Sequence, residues 1–156
     1  MFPGARHLQN IHPLVVHFPI GLLTGAALFY FAAWIFKKEE WEKAGFWVLL
    51  LGALSLAIAA GTGLYAETGV MVALDVRQKL LLFHKKYMIV TSVICFVVMG
   101  WAIAARPFPK KGRLFFLILL LAMLGAMTVG GDFGGQLVYD YNAGGDACSQ
   151  PIHFKG

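Results

Sequence analysis

The chain has 156 residues, of which 59% are hydrophobic and 13% charged, with a formal net charge of +5. A water-soluble domain carries about a quarter charged residues, so this composition excludes an ordinary soluble globule and points to lipid. The basic excess lies beside the apolar runs, where it explains the high pI without any nucleic-acid partner.

In chain order, four runs contain no Asp, Glu, Lys or Arg: Leu14–Phe36, Ala44–Ala66, Tyr87–Ala105 and Leu114–Gly131. Crossing the hydrocarbon core takes about 20 apolar residues as a helix. The reading is an all-α membrane protein with one domain, a four-transmembrane-helix bundle running up-down-up-down. The spans fall at about residues 13–36, 44–66, 84–105 and 113–131, with a Gly-rich outer tail over 132–156. The first run exceeds the roughly 7–15 residues of a cleavable signal core and only Arg6 precedes it, so it is expected to stay attached.

The first run opens on Ile11-His12-Pro13-Leu14-Val15-Val16-His17-Phe18-Pro19-Ile20. Pro13 suits a first helical turn, whereas Pro19 removes a backbone bond one turn later and loosens the entry. The helical face of His17 continues through Gly21, Gly25 and Leu28. Two glycines there leave a groove in which a flat macrocycle fits below its imidazole ligand. The same glycines equally make a small-xxx-small surface for close helix packing. His12 lies about 140° around the helix from His17, so the two are not expected to share one metal.

Between the second and third runs, Leu74 and Leu80–Leu82 alternate with Asp75, Arg77 and Lys79, which predicts a short interfacial helix leading into the third span. His84 then enters that span beside Lys85 and Lys86. Helices one and three are co-directional, which puts His17 and His84 at similar depth, and opposed imidazoles are a standard way to hold haem iron. The lysines suit haem propionates, or they simply keep His84 hydrated. After the fourth run comes Gly130-Gly131-Asp132-Phe133-Gly134-Gly135-Gln136. Gly130 or Gly131 suits a helix C-terminus. The further glycines allow close approach of a cofactor, with Asp132 as acceptor for a ligand N–H. Glu67, at the end of the second run, is either solvated or a proton acceptor. Cys95 reads as mid-span packing, Cys148 lies far from it in the tail, and Cys148 and His153 lack the pattern for covalent haem attachment.

Orientation follows from the short loops. Lys37–Lys43 and Arg106–Arg113 hold seven Lys/Arg against Glu39, Glu40 and Glu42, whereas the other side spreads six over far more chain. Dense Lys/Arg in tight loops predicts a cytoplasmic face, which puts both termini and His7, His12, His17, His84 and His153 on the outer side of a bacterial inner membrane.

The stretches His12–Leu23 (HPLVVHFPIGLL), His84 and Gly134–Asn142 (GGQLVYDYN) resemble, in order and over nearly the whole chain, a family of predicted four-helix bacterial membrane proteins of unknown function. The resemblance implies His12, His17, His84, Gly134 and Gly135 as characteristic positions. It also implies company with cytochrome c, Rieske or rubredoxin-like domains, and so redox work.

Three readings follow. The first is a b-type haem protein with His17 and His84 as axial ligands, passing electrons between quinol and a periplasmic cytochrome c or Rieske protein. A second haem on His12 and His153 is conceivable. The second reading is a copper or zinc site built from the outer histidines. The third is a non-redox subunit of a larger complex whose histidines hydrogen-bond in a polar cap. No nucleophile–base pair or paired carboxylates share a predicted site, so catalysis by this chain alone has no support.

Overall fold

The computed structural model describes residues 11–68, 73–141 and 143. Four helices, each long and apolar enough to cross a membrane, make up almost all of it: α1 (His12–Phe36), α2 (Glu39–Glu67), α3 (Leu74–Ala105) and α4 (Arg113–Tyr139). No strand occurs among the described residues. Successive helices pack as neighbours and α4 returns against α1, closing a square. The diagonal pairs α1–α3 and α2–α4 stand apart among the described residues.

The core explains why the helices associate where lipid offers no hydrophobic gain. Small residues let backbones approach, and large ones fill what remains. Ala26, Ala27 and Ala33 of α1 are buried, and so are Gly45, Gly52 and Ala53 of α2. A methyl group on Gly52 would lie 2.7 Å from Leu23 Cδ2, and one on Gly45 would lie 3.2 Å from the Tyr30 ring. Cys95, Val98 and Ala102 of α3 and Phe116, Leu120 and Met123 of α4 complete this core. Cys95 is a buried free thiol, as its mid-span position predicts, while Cys148 lies outside the described residues.

Helix ends follow local chemistry. α1 stops at Lys37, which adopts a left-handed conformation, and α2 begins with Glu39, Glu40 and Glu42 where the helix dipole favours acids. Gly112, at φ 79°, starts α4 in a conformation that favours glycine, and a methyl group there would lie 3.0 Å from the Trp101 ring.

Two features depart from the sequence expectation. The segment before the third span is not a separate interfacial helix, because it continues into α3 through one wide turn at Arg77–Leu81. Such turns carry an extra residue and shift the phase of everything that follows, here His84. The Gly-rich stretch after residue 130 is likewise no loop or cap: α4 runs on to Tyr139. Packing overrides the cost of helical glycine, about 1 kcal/mol each. Phe133 stacks on both Phe83 and Tyr87 of α3, and Leu137 joins Ala73, Val76 and Leu80 in a second, smaller core. That small core roofs one end of the bundle.

Candidate functional site

Beneath the roof, the diagonal helices α1 and α3 meet through two imidazoles. The rings of His12 and His84 lie 6.3 Å apart between centroids, with their planes at 76°. Both residues are half-buried. The break at Val16 separates His12–Val15 from His17–Phe36 and lets the first turn of α1 carry His12 to the bundle axis.

Each ring is held by hydrogen bonds, and for His84 they define the tautomer. His84 Nδ1 donates to the Gly130 carbonyl at 2.7 Å. A carbonyl only accepts, so Nδ1 carries the proton and the lone pair of the neutral ring is on Nε2. His12 Nδ1 lies 3.1 Å from Thr62 Oγ1, whose own hydroxyl donates to the Ala59 carbonyl. The His12 ring also hydrogen-bonds the Ala59 backbone. His84 takes the form that ligates metals through Nε2, with a fixed acceptor behind the ring.

The other diagonal supplies glycine. A methyl group on Gly63 of α2 would lie 2.8 Å from His12 Cε1, and one on Gly134 of α4 would lie 2.9 Å from His84 Cε1 and Nδ1. Neither ring can yield without losing its hydrogen bond, so both positions require glycine. Gly130, buried against Tyr87 and Met88, brings its carbonyl within reach of His84 for the same reason.

Around this pair, Glu67 ties the end of α2 to α3. Its carboxylate is 2.8 Å from Lys85 Nζ and 3.8 Å from Arg77. Glu67 is thus neither merely solvated nor an unpartnered proton acceptor. Lys86 sits over the Phe83 ring.

The structure brings together some of the sequence-predicted residues and separates others. His84, His12 and Gly134 converge. His17 does not meet His84: it is exposed and its Nδ1 lies 3.4 Å from the Leu14 carbonyl. The face it shares with Gly21 and Leu28 points away from the bundle, because α1 buries the opposite face through Leu23, Ala27 and Tyr30. A methyl group on Gly21 would meet open space and one on Gly25 would make an ordinary contact with Val48 of α2, so the two glycines form no groove beside a ring pair. Asp132 is exposed and accepts from Gln136, one turn along its own helix, while the Gly130 carbonyl takes the role expected of Asp132. A methyl group on Gly135 would lie 3.9 Å from Tyr139 and meet no histidine. His7 and His153 lie outside the described residues, as does most of the tail. Sequence reasoning missed Thr62 and Gly63. Their signal was the Gly61-Thr62-Gly63 run near the end of the second span, where a polar residue between glycines has no packing purpose.

Among known proteins, no curated protein and no solved structure matches this chain. A family model described as a predicted membrane protein (DUF2231) matches residues 8–147. The four apolar helices agree with that description, and the chain belongs to this family of predicted membrane proteins.

Proposed function

We propose that the protein is a b-type haem-binding membrane electron carrier, with His12 and His84 as the axial ligand pair in place of His17 and His84. The observation that carries this reading is the separation of the two rings. Two imidazoles on one transition-metal ion have ring centres about 6 Å apart, given metal–nitrogen bonds of about 2.0–2.1 Å on each side. The pair here lies at 6.3 Å.

The donor set favours haem over a bare ion. A structural zinc site takes four protein ligands and a catalytic one takes three. Among the described residues no group of three His, Cys, Asp or Glu is placed to hold a metal. A porphyrin brings four nitrogens of its own and asks only two of the protein. His12 and His84 would hold the group, with Gly63 of α2 and Gly134 of α4 packed beside the two rings. When bound, the group supplies one-electron redox chemistry. The chain's own contribution is to fix His84 as an Nδ1–H donor to the Gly130 carbonyl, to hold His12 against Thr62 and Ala59, and to keep apolar helices around them. Lys85 stays committed to Glu67, and Lys86 lies at the rim.

The Lys/Arg-dense loops 37–43 and 106–113 belong on the cytoplasmic side of a bacterial inner membrane, which leaves the histidine end outward. There it meets membrane quinol and a soluble acceptor such as a cytochrome c or Rieske protein. Protein purified from haem-replete cells should show a reduced-minus-oxidised b-type α band that His12→Ala and His84→Ala abolish and His17→Ala retains. Colourless protein without iron would overturn the proposal. Copper or zinc found by elemental analysis would replace it with the bare-ion reading.

A further inference from the structure

The opposite end of the bundle carries a groove between α2 and α3, separate from the histidine pair. It encloses about 420 Å³ and is lined by Lys43, Phe46, Trp47, Ile103, Arg106 and Pro107. That volume suits a ligand group rather than a crevice for one water. Its chemistry is divided. Phe46, Trp47 and Ile103 make an apolar wall, with Trp47 61% exposed, and Lys43 and Arg106 supply two cations.

The two cations are only weakly answered from within the protein. Lys43 forms an exposed ion pair with Glu39 at 3.8 Å. No ion pair among the described residues involves Arg106. Its φ is 43° where α3 ends, and the residue lines the groove as the chain turns there. A tryptophan with two basic residues at the end of apolar spans is the arrangement that meets a lipid headgroup.

We propose that this groove holds an anionic phospholipid, its phosphate between Lys43 and Arg106 and an acyl chain along Trp47 and Ile103. Charge complementarity selects this occupant. A zwitterionic lipid leaves the two positive charges without net compensation, and free phosphate leaves the apolar wall uncovered.

The test uses the full chain in nanodiscs of phosphatidylcholine doped with bromine-labelled lipid, which quenches tryptophan on contact. The share of quenching lost in Trp47→Phe reports this groove against Trp34, Trp41 and Trp101. Brominated phosphatidylglycerol should quench Trp47 at lower mole fraction than brominated phosphatidylcholine. Each basic residue near a membrane surface contributes about a fivefold preference for anionic lipid, so Arg106→Gln should lower the selectivity about fivefold and Lys43→Gln/Arg106→Gln about 25-fold. Lys110→Gln/Lys111→Gln, in the same end of the bundle but outside the groove, should leave it unchanged. Equal quenching by the two lipids in the unmodified protein overturns the proposal without any variant. So does an equal loss in the Lys110/Lys111 control, which would mean diffuse surface attraction. Relief of the quenching by millimolar inorganic phosphate would show a site for the free anion and also overturns it.

Discussion

At the loop end of the bundle, Tyr30, Phe108 and Phe116 fill the space between α1 and α4, their ring centres 4.9 to 5.5 Å apart. Tyr30 donates to the Pro107 carbonyl at 3.0 Å, and Arg113 reaches across to Glu42 at 2.9 Å. At the histidine end, the corresponding depth holds two half-buried imidazoles, with glycine where the neighbouring helices might have placed side chains. One end is packed with large residues whose polar atoms bond loop backbone. The other places small residues around two hydrogen-bonded rings. The difference separates what stability requires from what it does not: aromatic packing accounts for a closed bundle, whereas paired histidines beside obligatory glycines gain nothing in packing over leucine and alanine.

Substitutions at the two ends should therefore separate stability from haem content. Phe116→Ala opens a cavity in the aromatic end, where the ring is fully buried. It should lower unfolding stability by about 3–5 kcal/mol, read as the thermal midpoint in detergent, while leaving the haem-to-protein ratio of folded molecules intact. A loss of haem proportionate to the loss of stability would mean that the two ends are not independent.

Next in size is Gly134→Val. Its branched side chain meets the His84 ring, already 2.9 Å from a bare methyl group, and overpacking of this kind costs about 1–3 kcal/mol. Gly131→Val is the matched control: it lies one turn earlier on α4 with open space around it. Only the first should displace His84 and remove the α band. If both variants retain the band, the ring is not held where the site needs it.

How much of this was legible beforehand depended on the range of the interactions. The four spans were readable because uncharged runs long enough to cross lipid have no other stable form in such a chain. Residues of the site were readable by type but not by pairing. His17 and His84 sit at comparable depth in the sequence pattern, yet which face of α1 turns inward is decided by Leu23, Ala27 and Tyr30 packing against α2 and α4, several turns away. A break of one residue at Val16 then brings His12 to the axis instead. The Gly-rich stretch misled for a related reason. Local propensity favours a helix end there, and only the stacking of Phe133 on α3 and the burial of Leu137 in the roof carry the helix onward.

A smaller effect comes from Tyr30→Phe. The ring stays and only the hydroxyl bonded to Pro107 is lost, so the thermal midpoint should report about 1 kcal/mol and the spectrum should not change. An unchanged midpoint would mean that the ring alone closes this end.

Thr62→Val is the counterpart at the other end and the sharpest use of the comparison. It conserves shape and removes the hydroxyl bonded to His12. That oxygen also bonds the Ala59 carbonyl within the same helix, and losing the bond to His12 should cost about 1 kcal/mol, as at Tyr30. The two ends then differ in what happens to the ligand. Removing the partner that positions a ligating histidine lowers affinity about 10–100-fold, so haem should be lost on dilution or to a competing acceptor, which Tyr30→Phe does not cause. The same stability loss with no effect on bound iron would make the two histidines a hydrogen-bonded polar cap. In that case the glycines at 63 and 134 would serve only to seat the cap, and both ends of the bundle would be doing the same structural job with different side chains.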